Sequence, residues 1–236
     1  MTSTTAFPYT YSQNEFLPHP FGIFMKHSLT DEERKELDQR TAVAEKRTGV
    51  QIVLAIIERS DAYAELPWKA FAMGTSGAGL LVLIMNMVWP LPLPTMAALL
   101  AIVIMLAAGA GFALLCVFVP DFARLFLHSQ RAESETMQYA RSFFLSHELF
   151  GTPQRRAVLL MVSLFERRIV VLPDVGLNLK VNQDATEKII AHMRVHLNSG
   201  QTARALEAGL KKLEEVLLSS DGSTHDLPNV IEEKGT

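Results

Sequence analysis

Two aspartates stand where short apolar runs end, and both are placed for chemistry. Asp174 closes "RIVVLPD" two residues before Gly176, and Asp61 follows "VQIVLAIIERS". A carboxylate at a strand end offers oxygen ligands to a hard divalent cation such as Ca²⁺ or Mg²⁺, or takes part in phosphoryl transfer. If the strand ends align at one rim of a sheet, the two side chains share a site. Asp174 and Asp61 are therefore the candidate catalytic residues and the candidate metal ligands. The same residue type at the same place also caps turns routinely, and the sequence leaves both readings open.

Other groups carry less. His192 and His196 are one helical turn apart, a spacing that can bind metal. No Glu adjoins His192 as a metalloprotease needs and no third ligand accompanies the pair, so they read as a polar helix face. Glu166, Arg167 and Arg168 form a charged corner between two apolar runs, with Arg155 and Arg156 before the first run. Antiparallel pairing of the runs sets the arginine pairs at opposite ends, and the corner reads as solvated. There is no Gly-x-Ser-x-Gly elbow. The single cysteine, Cys116, excludes an internal disulfide framework and a multi-cysteine metal site.

The elements that position these residues follow from charge and periodicity. The 236 residues carry 22 Lys+Arg against 25 Asp+Glu, and no basic stripe carries interleaved aromatics, so a nucleic-acid partner is not expected. Between Lys69 and Asp121 there is no charged residue at all. Such a run is too long for one span, since about 20 apolar residues cross the hydrocarbon core. "WPLPLP", residues 89–94, breaks it, because proline removes amide donors. The expected solution is a hairpin of transmembrane helices over 71–89 and 95–118, as only helices satisfy their own backbone in lipid. Gly74, Gly77 and Gly79 on the first span, with Ala107, Gly109 and Gly111 on the second, read as small residues that let the helices approach. Asn86 adds one polar group to the first span. The connecting loop is uncharged while Lys69, Arg124 and Arg131 flank the spans, which places both termini in the cytoplasm of an inner-membrane protein. The N-terminus lacks a basic n-region and a continuous apolar h-region, so it does not read as a secretory signal. Residues 1–27 read as a poorly ordered arm and residues 219–236 as a tail.

On either side of the hairpin lie pieces of a soluble domain, over 28–66 and 121–218. "SLTDEERKELDQRTAVAEKRTG" predicts a helix with Thr30 as N-cap, Glu33 as its capping-box partner and Gly49 as the stop. Residues 50–58 predict a buried strand. After a mostly helical connector over 121–150, residues 156–166 and 168–174 predict two more strands, joined at Glu166-Arg167 as an antiparallel hairpin. Helices over 184–197 and 202–218 follow, each with one apolar face. Neither half has enough strands to fold alone. The expected fold class is α/β, a small sheet sandwiched by helices and interrupted by a two-helix transmembrane hairpin.

"LTDEERKELDQRTAVAEKRTG", "VQIVLAIIERSDAY" and "GTPQRRAVLLMVSLFERRIVVLPDVGL" together resemble the TPM domain, specifically the bacterial membrane proteins in which two spans interrupt it. The resemblance covers roughly residues 28–66 and 135–218 and implies an α/β sandwich. Plant thylakoid relatives are tied to photosystem repair and to acid phosphatase activity with a divalent metal, and an animal relative is a receptor's auxiliary subunit. The family's Ala-Asp-Arg-Gly pattern stands here as Pro173-Asp174-Val175-Gly176, with the arginine replaced. Family domains often face away from the cytoplasm, whereas the local charges of this chain point inward. The expected function is an adaptor or assembly factor on the cytoplasmic face, partnered by the bilayer and by another membrane protein. The alternative is a membrane-anchored phosphatase using a divalent cation at Asp174 and Asp61.

Overall fold

A computed structural model describes residues 29–89, 94–177 and 181–219. The predicted arm, the predicted tail beyond Ser219 and the centre of the proline-rich turn lie outside the described residues. The first helix, α1 (Asp31–Thr48), begins as its sequence dictates. The Thr30 hydroxyl accepts from the Glu33 amide, and the Glu33 carboxylate accepts from the Thr30 amide at 2.9 Å. Gly49 ends it in the left-handed region, φ 63°, donating to the Glu45 carbonyl. The chain then turns directly into β1 (Gln51–Ile57).

Two long helices follow, α2 (Glu65–Val88) and α3 (Pro94–Phe118). Both are long and apolar enough to cross a membrane, and little of either apolar stretch is buried within the protein. The first starts at Glu65 rather than at 71, because Glu65 and Lys69 extend its first turns on the domain side. Gly74 and Gly109 lie at the helix crossing. A Cβ on Gly74 would meet the Ala108 carbonyl and the Phe112 ring at 2.9 Å, and one on Gly109 would strike Thr75 and Phe71. Gly79 faces Met105, whereas Gly77 and Gly111 face open space. Three of the five predicted glycines therefore set the helix–helix distance.

A short α4 (Pro120–Arg124) and α5 (Ser129–Ser146) return the chain to the sheet. There β2 (Ala157–Ser163) pairs in parallel with β1, Gln51 opposite Ala157 through Ile57 opposite Ser163. The third strand, β3 (Arg168–Pro173), pairs antiparallel with β2, Ser163 opposite Arg168. The order is β1-β2-β3, with β2 central and buried along its whole length. The β2–β3 connection is four residues, Leu164–Arg167, not the expected two. Its first amides are diverted to β1: Leu164 donates to Ile57 and Phe165 to Glu58. Arg167 closes the turn at φ 52°.

Side-chain alternation divides the strands between two cores, as a period of two requires. Ile52, Val158, Leu160, Val162 and Val171 face α1, α6 (Gln183–Asn198) and α7 (Thr202–Ser219), meeting Leu37, Ile189, Met193, Leu206 and Leu213. Ala55, Leu159, Met161 and Val170 face Ala140 and Phe144 of α5. The fold is thus a three-stranded sheet between helical layers, with α2 and α3 inserted in the crossover from β1 to β2. Gly209 lets α7 lie close to this core, since a Cβ there would meet Leu160 at 2.9 Å and press on Met193.

Leu160 is fully buried on the central strand. Leu160→Ala is expected to destabilise the domain by about 2–5 kcal/mol through lost transfer energy and an unfilled cavity. Urea unfolding in detergent, followed by circular dichroism, measures it.

Candidate functional site

The two ends of the sheet hold different sets of polar residues. The far end is where β2 begins and β3 finishes. Here the Asp174 amide donates to the Ala157 carbonyl at 2.8 Å, continuing the ladder by one rung. The Asp174 side chain is buried and takes the Arg155 guanidinium side-on, with Nε at 3.0–3.1 Å from both oxygens and Nη2 at 2.9 Å from Oδ1. The Val175 amide also donates to Oδ1, at 2.7 Å. Burial pushes the carboxyl's pKa up, but the Arg155 hydrogen bonds, the Val175 amide and the Arg155 charge together outweigh it. The group is held below its ordinary 3.8. Gly176 completes the corner, because a Cβ there would press on the backbone carbonyls of Gln154 and Arg155. The cation that meets this aspartate comes from Arg155, on the turn before β2, while Val175 holds the place of the family's arginine.

The near end is where the long helices root. Parallel pairing brings the end of β1 beside the end of β2, and the centre is Glu166, a buried residue. Its Oε1 accepts from the Ser60 amide at 2.9 Å and the Ser60 hydroxyl at 2.6 Å, and its Oε2 accepts from the Ser163 hydroxyl. Ser60 gives its proton to Glu166, so Tyr63, 3.1 Å away, donates to Ser60. Tyr63 is itself buried, with φ 47°, and its ring lies 5.7 Å from that of Phe165. Burial raises the phenol's pKa well above its ordinary range, so it stays protonated. The Arg59 guanidinium stacks over Phe165 at 4.2 Å. Burial lowers its pKa while the Glu166 charge opposes the shift. The expected solvated corner is therefore corrected at Glu166: the longer turn folds its carboxylate inward, and Arg167 stays outside.

The helix roots tie into this end. Arg124, just after α3, donates through Nε to the Phe165 carbonyl at 2.7 Å and through Nη2 to Leu164 at 3.3 Å. Arg131 of α5 meets Glu65 of α2 at 2.8 Å and Asp61 at 3.4 Å. Asp61 also accepts from the Ala62 amide at 2.7 Å.

Asp174 and Asp61 therefore do not share a rim. The strands that carry them run between opposite ends of the sheet, separated by roughly 20 Å at about 3.3 Å per residue. A single ion cannot take oxygens from both side chains at that distance. Among the described residues, no group of three His, Cys, Asp or Glu side chains gathers as a metal site would require. His192 and His196 lie along α6, with the His192 ring 2.8 Å from the Lys188 carbonyl of its own helix. The residues that sequence reasoning missed are Ser60 and Ser163, and Arg155 stood out only as half of an arginine pair, not as the partner of Asp174. The usable signal was the serine at each parallel strand's end, legible only once β1 is known to lie beside β2.

The TPM domain matches residues 95–216, more than half of the chain. The chain belongs to the TPM domain family. The match runs from α3 into α7, so α1 and β1 lie outside it although β1 supplies the sheet's parallel strand. No curated protein matches the chain. Among solved structures it is similar to the NMR structure of the BA42 protein from the psychrophilic bacterium Bizionia argentinensis sp. nov.. The two are 16% identical over 88% of this chain and 96% of that one, with a TM-score of 0.46.

Two outcomes follow from these joints. Asp174 binds a proton less readily folded than unfolded, so its stabilisation is complete above 3.8 and is lost as pH falls through the lower folded value. Asp174→Asn is expected to lower the Tm by a few °C near neutral pH, with the gap from wild type closing in acid below 3.8. Thermal melts over a pH series read this. Glu166→Ala leaves the Ser60 and Ser163 donors without their acceptor, at an expected cost of about 1–3 kcal/mol, read by urea unfolding.

Proposed function

We propose that this TPM-domain protein spans the inner membrane twice, with both termini in the cytoplasm, and serves as an adaptor or assembly factor for a membrane complex. The observation that supports this reading is how the carboxylates are used. Asp174 is fastened by Arg155 and an amide, and Glu166 by two serine hydroxyls and an amide. Each joins two segments of the backbone. Asp61 at the near end is paired with Arg131. Acid groups committed to the protein's own donors fit a rigid body that presents surfaces to a membrane partner. A divalent-metal phosphatase would need carboxylates gathered at one rim around the metal and a substrate phosphate.

The discriminating experiment is hydrolysis of p-nitrophenyl phosphate by the detergent-purified chain with magnesium, calcium or manganese, beside Asp174→Ala and Asp61→Ala. The expected result is no metal-dependent turnover that either substitution abolishes. Turnover that requires the metal and disappears in a folded Asp174→Ala or Asp61→Ala protein overturns the adaptor reading.

A further inference from the structure

The near end of the sheet is apolar outward as well as inward. Leu66, Ala70, Ala123 and Phe165 are buried together there, with Phe126 and Leu127 packed on them. Their neighbours in sequence point away from the protein: Trp68 is 74% exposed and Leu125 75%. Outside α2, α3 and Trp89 at the turn between them, no large apolar side chain among the described residues is more exposed than Leu125. One exposed leucine needs no explanation by itself, but its level in the molecule is informative.

That level is set by the tryptophans. The chain has two, Trp68 near the start of α2 and Trp89 just past its end, and both are exposed. At 1.5 Å per residue they stand roughly 31 Å apart along the helix, matching a hydrocarbon core about 30 Å thick. Indoles favour the two interfaces of a bilayer, so one interface passes at Trp68. The shared burial of Leu66, Ala70 and Ala123 then puts Leu125 at the same height. Beyond exposed Asp121, Val119 and Phe118 carry exposed apolar surface on into α3. Lys69 is exposed nearby, and Arg167 holds Asp121 at 3.0 Å in front of the same rim.

We propose that this rim, with Leu125 at its tip, seats in the headgroup layer of the bilayer, so that the domain lies directly on the lipid surface. Leu125 places its side chain at the level of the acyl-chain carbonyls, and Lys69 and Arg167 lie among the phosphates. The occupant is lipid because the patch adjoins the hairpin's own apolar surface. The proposal rests on the two-span reading and is tested separately from it.

The experiment uses the full chain in vesicles of phosphatidylcholine and phosphatidylglycerol, with lipids brominated either high or low on the acyl chain as fluorescence quenchers. Three proteins each carry one tryptophan: Trp89→Phe reports Trp68, Trp68→Phe reports Trp89, and Trp68→Phe/Trp89→Phe/Leu125→Trp reports the rim. Leu125 touches no core, and thermal melts in the same vesicles check that each variant is folded. The expected result is that shallow bromines lower the rim tryptophan's emission about twofold, as they do for Trp68, while aqueous iodide has little effect. If Trp68 and Trp89 are quenched by lipid but the rim tryptophan answers only to iodide, the proposal falls and the two-span reading stands. If no tryptophan is quenched by brominated lipid, both fall.

Discussion

Parallel pairing of β1 with β2 is the constraint from which the rest of the architecture follows. A parallel pair cannot be closed by a tight turn, because the chain leaves one end of the sheet and must re-enter at the other. In this protein the crossover holds two long apolar helices as well as α5, the helix that packs on the sheet. The strand pair fixes where those helices are rooted, at the end where both parallel strands finish. It also decides which polar residues meet. Ser60 and Glu166 are 106 positions apart and form a hydrogen bond only because β1 and β2 run side by side.

The two ends of the sheet then take on different physical tasks. The far end is a lock between a strand and the turn before its neighbour, built from one buried aspartate and one arginine. The near end is a junction, where a buried glutamate gathers the exit of β1, the end of β2 and the β2–β3 turn, while Arg124 and Arg131 draw in the helix roots. Burying a carboxylate is costly unless its oxygens are filled by donors, and at both ends they are. The junction's apolar half, from Leu66 to Phe165, keeps water from those bonds and continues into the surface of the hairpin.

Much of this was legible beforehand, for local reasons. The limits of α1 follow from Thr30, Glu33 and Gly49, and α6 and α7 from apolar spacing on one face. The hairpin follows from a charge-free run and three prolines. The β2–β3 turn was misjudged because its length depends on Leu164 and Phe165 bonding to β1, a partner distant in sequence. Glu166 departs from expectation for the same reason: beside Arg167 and Arg168 it looks like surface, and it takes the long-range donor Ser60, with Ser163 three residues before it, to draw it inside. Asp174 and Asp61 each sit at a strand end, as read, but a strand end is a direction as well as a place. Whether two of them coincide depends on parallel or antiparallel pairing, which short apolar runs do not encode.

The position of the hairpin within the crossover also orders the protein's synthesis. β1 is made before either long helix, and its partner β2 emerges only after both. Through that interval "QIVLAII" has no strand to pair with, and neither core can close on it. A sequence of this kind, uncharged and β-branched, is prone to pair with other chains while it waits. On the proposed two-span reading, the helices that delay its partner also hold it beside the bilayer once they insert, tethered at one place and apart from other nascent chains. On that reading, insertion becomes a step in the folding of the α/β domain.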